Sequence, residues 1–252
     1  MEDATDRPSY EPEPAQDPTP STQAKYSAVQ RLWMMFMSPG EVFADIGIKP
    51  TWAVLLAVLV ILGIAYQAVV VPHVDIEGTI RARVAEQDQP VSESQIQGAV
   101  KFAEVIARLG PVIVPVFWMV IAATFFFLML KLVGSEADYP RAFSTTLHAY
   151  WPPTIVALVL TSILIQKVGK VQEDELARLV KANIGAFMSP DAPAWLTSVA
   201  STISVFNLWA VILLFMGFAT VGKLSKGKAA AVALVPWVAW IIVKAGLTAL
   251  FA

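Results

Sequence analysis

Thr51–Val71, TWAVLLAVLVILGIAYQAVVV, runs for 21 residues without a charge. A helix rises 1.5 Å per residue, so about 20 apolar residues cross the ~30 Å hydrocarbon core of a bilayer. This stretch therefore predicts a membrane-spanning helix, and the rest of the chain repeats the pattern. PVIVPVFWMVIAATFFFLML (Pro111–Leu130) is a second uncharged run. Three more apolar stretches follow. With their borders, the five predicted spans cover 51–71, 111–131, 142–166, 195–221 and 229–250. The expected fold is all-α: a polytopic bundle of about five transmembrane helices with interfacial amphipathic helices.

Composition agrees. The 252 residues are 56% hydrophobic and 15% charged, against about 45–50% and 25% in soluble domains. There is no cysteine, which excludes disulfides, thiol catalysis and cysteine-ligated metal. The opening MEDATDRPSYEPEPAQDPTPSTQ is acidic and proline-rich. It lacks the basic start and apolar core of a signal peptide, and predicts a disordered N-terminal tail over 1–30 ahead of a helical membrane domain over 31–252.

The connections alternate. Long ones follow spans one and three, and short ones follow spans two and four, so long and short loops fall on opposite sides. Each long loop holds an amphipathic pattern. In QIQGAVKFAEVIARLG, Ile96, Val100, Ala103 and Ala107 share a face, and Glu104 and Arg108 stand four apart. In VQEDELARLVKANIGAF, Leu176, Leu179, Val180, Asn183 and Ile184 form the stripe, with Asp174 four before Arg178. Both predict helices lying at the interface or capping the bundle. Basic residues are densest in GKLSKGK, a short loop. By the excess of Lys and Arg in cytoplasmic loops, the N-terminus and short loops are expected in the cytoplasm, in a bacterial plasma membrane.

FMSP occurs twice, at Phe36 and Phe187. In the first copy Ser38, Pro39 and Glu41 have the spacing of an N-cap, a first-turn proline and a capping box. Ser189–Pro190 offers the same cap in the second. The copies diverge at once, so shared capping logic explains the repeat better than duplication does. A better internal echo joins the hairpins formed by spans two–three and four–five, each turning just after a Lys-Leu pair, in KLVG and KLSK.

MMFMSPGEVFADIGIKPTW before span one, GSEADYPRAFSTTLHAYWPP entering span three, NLWAVILLFMGFATVGKLS in span four and KAAAVALVPW entering span five together resemble the Yip (Ypt/Rab-interacting protein) domain family in its prokaryotic form. The resemblance covers about residues 32–252. It implies a multi-pass helical membrane protein with a cytoplasmic N-terminus. Eukaryotic relatives act with Rab-type GTPases in vesicle traffic through an Asp-Leu-Tyr-Gly-Pro-like box before the first span. SPGEVFADIG stands there instead, which argues against GTPase binding. The expected function is that of a non-enzymatic membrane organiser or adaptor, with the lipid bilayer and other membrane proteins, further copies of itself included, as partners. Its candidate partner surface is Phe36, Pro39, Glu41, Val42, Phe43, Tyr139, Arg141, Lys223, Lys226 and Lys228.

Chemistry has little support. No Asp or Glu lies inside a predicted span, and no zinc-protease, nucleophile-elbow or phosphate-loop motif occurs. His73 and His148 fall on opposite sides of the membrane and make no metal site. No basic patch with interleaved aromatics points to nucleic acid. No catalytic residue, cofactor or metal is expected. His148 reads as an interfacial hydrogen-bonding side chain, Lys244 as one reaching outward to the headgroups, and Asn207 and Gln67 as interhelical glue. Pro111, Pro115, Pro152, Pro153 and Pro236 read as tolerated kinks, with Pro111 and Pro152 near span starts. The alternative function is a small permease or lipid-handling protein, with a path among spans three to five near His148, Asn207 and Pro236.

Overall fold

The structure, a computed structural model, describes residues 23–85, 90–189 and 191–251. Its described residues form ten α-helices and two short 3-10 turns. They are α1 (Ala28–Met37), α2 (Pro39–Ile48), α3 (Ala53–Val70), α4 (Ile76–Ala85), α5 (Glu93–Leu132), α6 (Tyr139–Ile165), α7 (Glu173–Leu179), α8 (Ala194–Thr202), α9 (Val205–Val221) and α10 (Lys226–Phe251). Four of them, α3, α5, α6 and α10, are long and apolar enough to cross a membrane, and α9 is a shorter apolar helix of 17 residues. At 1.5 Å per residue α9 reaches about 25 Å, still within the range of a crossing. Outward-facing Ile61, Ile113, Phe117, Ile163 and Ile242 are each more than half exposed. That surface suits lipid rather than water.

Hydrogen bonds between distant segments define the two ends of the bundle. At one end the short turns meet: the Ser135 hydroxyl donates to the Gly222 carbonyl (3.0 Å), Lys228 Nζ donates to the Val133 carbonyl (2.8 Å) and Arg141 Nε donates to the Gly47 carbonyl (2.9 Å). At the other end the long connections meet. Val74 bridges to Val171, and Asn183 bridges to Ser204. α3, α6 and α10 therefore run one way, α5 and α9 the other.

Three expectations are corrected. The amphipathic stretch before span two is no separate helix. Ser92 and Gln95 form a capping box, and from there α5 runs unbroken for 40 residues, about 60 Å. Ile96 and Val100 are buried as expected, while Glu104 and Arg108 form no ion pair. Pro111 consequently lies deep inside the helix, not at its start. Pro115 has no N–H, so the Pro111 carbonyl loses its helical donor. Gly63 of α3 covers that carbonyl so closely that an added Cβ would stand 2.5 Å from it. Only a hydrogen fits there, and α3 and α5 meet at this point.

The fourth span is broken. α8 ends at Thr202, Ile203 and Ser204 leave helical geometry, and the Ser204 side chain accepts from Asn207 N–H to start α9. Asn207 Nδ2 donates back to the Thr202 carbonyl (2.8 Å). The stripe expected after α7 ends early as well. Val180 is extended, and Asn183 caps the turn Ile184–Phe187 instead of joining a helix. The side chain of Asp174, expected to pair with Arg178, lies outside those described.

The expected tail up to residue 22 lies outside the described residues. From Lys25 the chain is bound to α2, and α1 begins at Ala28, capped by Ser27 with Gln30.

Candidate functional site

α1 and α2 form a hairpin seated in the bundle at the short-turn end. Val42, Phe43 and Ile46 of α2 and Met35 of α1 are fully buried. Gly217 of α9 makes the seat possible, since a Cβ there would meet Thr145 Cγ2 at 2.5 Å and Phe43 Cε1 at 2.8 Å. A buried ionic link ties the hairpin. Arg31 is 1% exposed, and its Nη2 lies 3.6 Å from Asp45 Oδ2. Arg31 Nη1 donates to the Lys49 carbonyl and the Thr51 hydroxyl, both at 2.8 Å. Asp45 accepts the backbone N–H groups of Lys25 (2.8 Å) and Tyr26 (2.7 Å). Burial pushes the guanidinium's affinity for its proton down and Asp45 pushes it up, the usual balance for a buried pair. Trp151 Nε1 donates to the Leu32 carbonyl (2.8 Å), fixing α1 against α6.

Ser38 departs from its expected role. Its side chain caps nothing, and the capping box with Glu41 does not form. Glu41 turns outward to the Tyr26 hydroxyl and to Lys25 Nζ (2.9 Å). The Tyr26 hydroxyl and then Lys25 hold its carboxyl below the usual carboxylate range. The second FMSP starts no helix at Ser189. Ser189 accepts from Asp191 N–H in a short turn, and α8 begins five residues later, at Ala194. Pro190 is outside the described residues.

Beside the α2 hairpin lies a groove of about 830 Å³. Ala44 and Ile48 of α2 form one wall, Glu136 and Arg141 another, and Lys223 and Lys228 the third. Two backbone positions shape its rim, Gly134 at φ 81° and Lys223 at φ 50°. The second is a left-handed conformation that lysine adopts only at a cost. Arg141 is held by the Gly47 carbonyl and by Asp138 (2.6 Å), and Lys228 by the Val133 carbonyl. The ammonium groups of Lys223 and Lys226 have no partner among the described residues. Three cations thus line the groove with one carboxylate, Glu136, while a second, Asp138, pairs with Arg141 beside it.

Of the ten residues proposed from sequence, the groove gathers Arg141, Lys223 and Lys228, with Lys226 two residues before Lys228 at the start of α10. Glu41 is exposed one turn before Ala44 on the same face of α2, bound to Tyr26 and Lys25 outside the groove lining, and Pro39 is half-buried at the first turn. Phe36 is half-buried against Trp209, ring centroids 6.1 Å apart. Tyr139 stacks on Phe143 (6.0 Å). Val42 and Phe43 have no exposed surface at all, so they hold the hairpin and touch no partner. Sequence reasoning missed Ala44 and Ile48, which alternate with the buried residues on the same short helix. His148 is buried, with Nδ1 2.8 Å from the Ser144 carbonyl. It lies inside the protein rather than at the headgroups, and is not among the residues that line the groove. Asn207 and Pro236 do share a cavity, between α5, α9 and α10.

The model of the Yip1 domain family matches residues 33–247. No curated protein and no solved structure matches the chain significantly. The match begins in α1, spans the hairpin, all five apolar helices and both clasped turns, and ends in the last turns of α10. Covering far more than half of the sequence, it makes this chain a member of the Yip1 domain family.

Proposed function

We propose that the protein is a non-enzymatic membrane adaptor of the bacterial plasma membrane, with its N-terminus and short turns in the cytoplasm. The groove beside α2 takes an acidic segment of a partner membrane protein. One observation carries this reading: Arg141, Lys223 and Lys228 line a concave surface whose own carboxylate is Glu136, and although Asp138 pairs with Arg141 beside it, Lys223 and the neighbouring Lys226 have no partner among the described residues. Exposed Ile48 adds an apolar contact at the groove's edge. Charge of one sign in a cleft favours and steers an oppositely charged partner.

A photo-crosslinking residue at Ile48 in living cells tests it. A discrete protein adduct is expected, weakened severalfold by Lys223→Glu with Lys228→Glu at unchanged protein level. Adducts indifferent to that reversal, or with lipid alone, would remove the adaptor reading. A permease is the second reading, favoured by the shared cavity of Asn207 and Pro236. Solute flux in proteoliposomes that disappears in Asn207→Leu would support it.

A further inference from the structure

The cavity between α5, α9 and α10 has a volume of about 380 Å³. Trp118 and Phe125 of α5, Val211 of α9, and Pro236 and Trp240 of α10 give it an apolar wall, with the Trp118 and Trp240 rings 5.6 Å apart. Its end nearest the long connections is polar. Thr202 and Asn207 line it there, and Lys244 Nζ donates to Thr202 Oγ1 (3.3 Å).

Two donors stand out among the polar groups at and beside the cavity, which also include Asn207 and Tyr150. Thr202 Oγ1 gives its own proton to the Ser198 carbonyl (3.0 Å), and Asn207 Nδ2 donates to the Thr202 carbonyl. Lys244 is half-buried, makes that single hydrogen bond, and has no carboxylate partner among the described residues. Trp237 Nε1, on the same cavity, is a buried donor with no acceptor. No Asp or Glu lines the cavity. A lone ammonium in or near hydrocarbon is costly unless an anion meets it, and a buried N–H without an acceptor is costly too. An occupant with a long apolar body and one anionic end supplies the anion that Lys244 lacks and fills the apolar remainder.

We infer that this cavity is a binding site for one anionic phospholipid from the leaflet on the long-connection side, an acyl chain lying along the wall that Trp118 and Trp240 form together and the phosphate meeting Lys244. The inference is independent of the groove beside α2, which lies at the opposite end of the bundle. The site fits the size and character of ligand pockets generally: mostly apolar, with a few convergent polar groups. The ammonium–phosphate contact is a charge-assisted hydrogen bond, and it selects headgroup charge, while the cavity selects a chain.

Native mass spectrometry of the full chain tests this, with phosphatidylglycerol and phosphatidylcholine of identical chains titrated in turn. One phosphatidylglycerol per chain is expected to survive gentle activation, in preference to phosphatidylcholine. Lys244→Gln should weaken it about tenfold or more, the scale of one hydrogen bond to a charged group. Ala239→Trp, at a lining position exposed at the cavity's edge, should fill the space and abolish retention while the protein still folds, as judged by an unchanged melting temperature. Equal retention of both lipids, or retention indifferent to Lys244→Gln, would identify ordinary annular lipid and overturn the inference. Loss in Lys244→Gln with full binding in Ala239→Trp would overturn it too, since the headgroup would then bind without a seated chain.

Discussion

Gly217 is where α9 admits both α2 and α6, and its missing side chain decides whether the hairpin can sit. Gly217→Ala forces Thr145 or Phe43 to move, and is expected to lower stability by about 1–3 kcal/mol, as overpacking does. Phe43→Ala leaves a cavity instead and should lower it by about 3–5 kcal/mol. Thermal unfolding in detergent measures both, and a neutral Phe43→Ala would mean the hairpin is not docked. Glu41 supplies a pH signature. Its folded pKa is depressed below the ordinary 4.5, so its link to Tyr26 and Lys25 contributes above that value and is lost as pH falls through the depressed one. A melting temperature that falls between pH 5 and about pH 3 should fall less in Glu41→Gln. These residues were visible in the sequence, but their roles were not. An apolar pair such as Val42–Phe43 on a short helix reads alike as a docking face and as a core contact, and only α9, far along the chain, distinguishes them. Arg31 gave no sign of its partner for the same reason: Asp45 lies across a turn that composition cannot fold.

The apolar helices were legible because 20 uncharged residues have few other destinies in a membrane protein. Their ends were less so. Ser204 was hidden inside an apolar run, where one N-cap outweighs the hydropathy average and divides the stretch into α8 and α9. Ser204→Ala should cost about 1 kcal/mol and raise amide hydrogen exchange in Val205–Leu208 selectively; uniform protection would show that the break does not depend on the cap. The opposite error befell α5. An amphipathic first half suggested a separate helix ahead of the span, yet a capping box at Ser92 and a glycine covering the carbonyl freed by Pro115 let one helix continue. Hydropathy marks where lipid begins, and caps mark where helices begin, and the two need not coincide.

The alternation of long and short connections was enough to sort the loops onto two ends, because each crossing reverses direction. The side of the membrane was not fixed by it, since lysines and arginines are nearly evenly divided. The absence of native cysteine makes the arrangement directly measurable. Single cysteines replacing Lys25 and Lys226 should react with an impermeant maleimide from the same side, and one replacing Lys170 from the other. Labelling of Lys226→Cys and Lys170→Cys from one side would contradict the five-crossing path.

Phe43 and Gly217 touch, yet at 5–20 residues per second the ribosome delivers Gly217 about 9–35 s after Phe43. Throughout that interval α2 has helical shape and an apolar face but no cradle. The nascent chain therefore needs a place to park it, and the bilayer surface is the one at hand. Assembly of this protein ends where its sequence begins: the first hairpin made is among the last to be locked, and a chain halted before α9 would remain held open at that end.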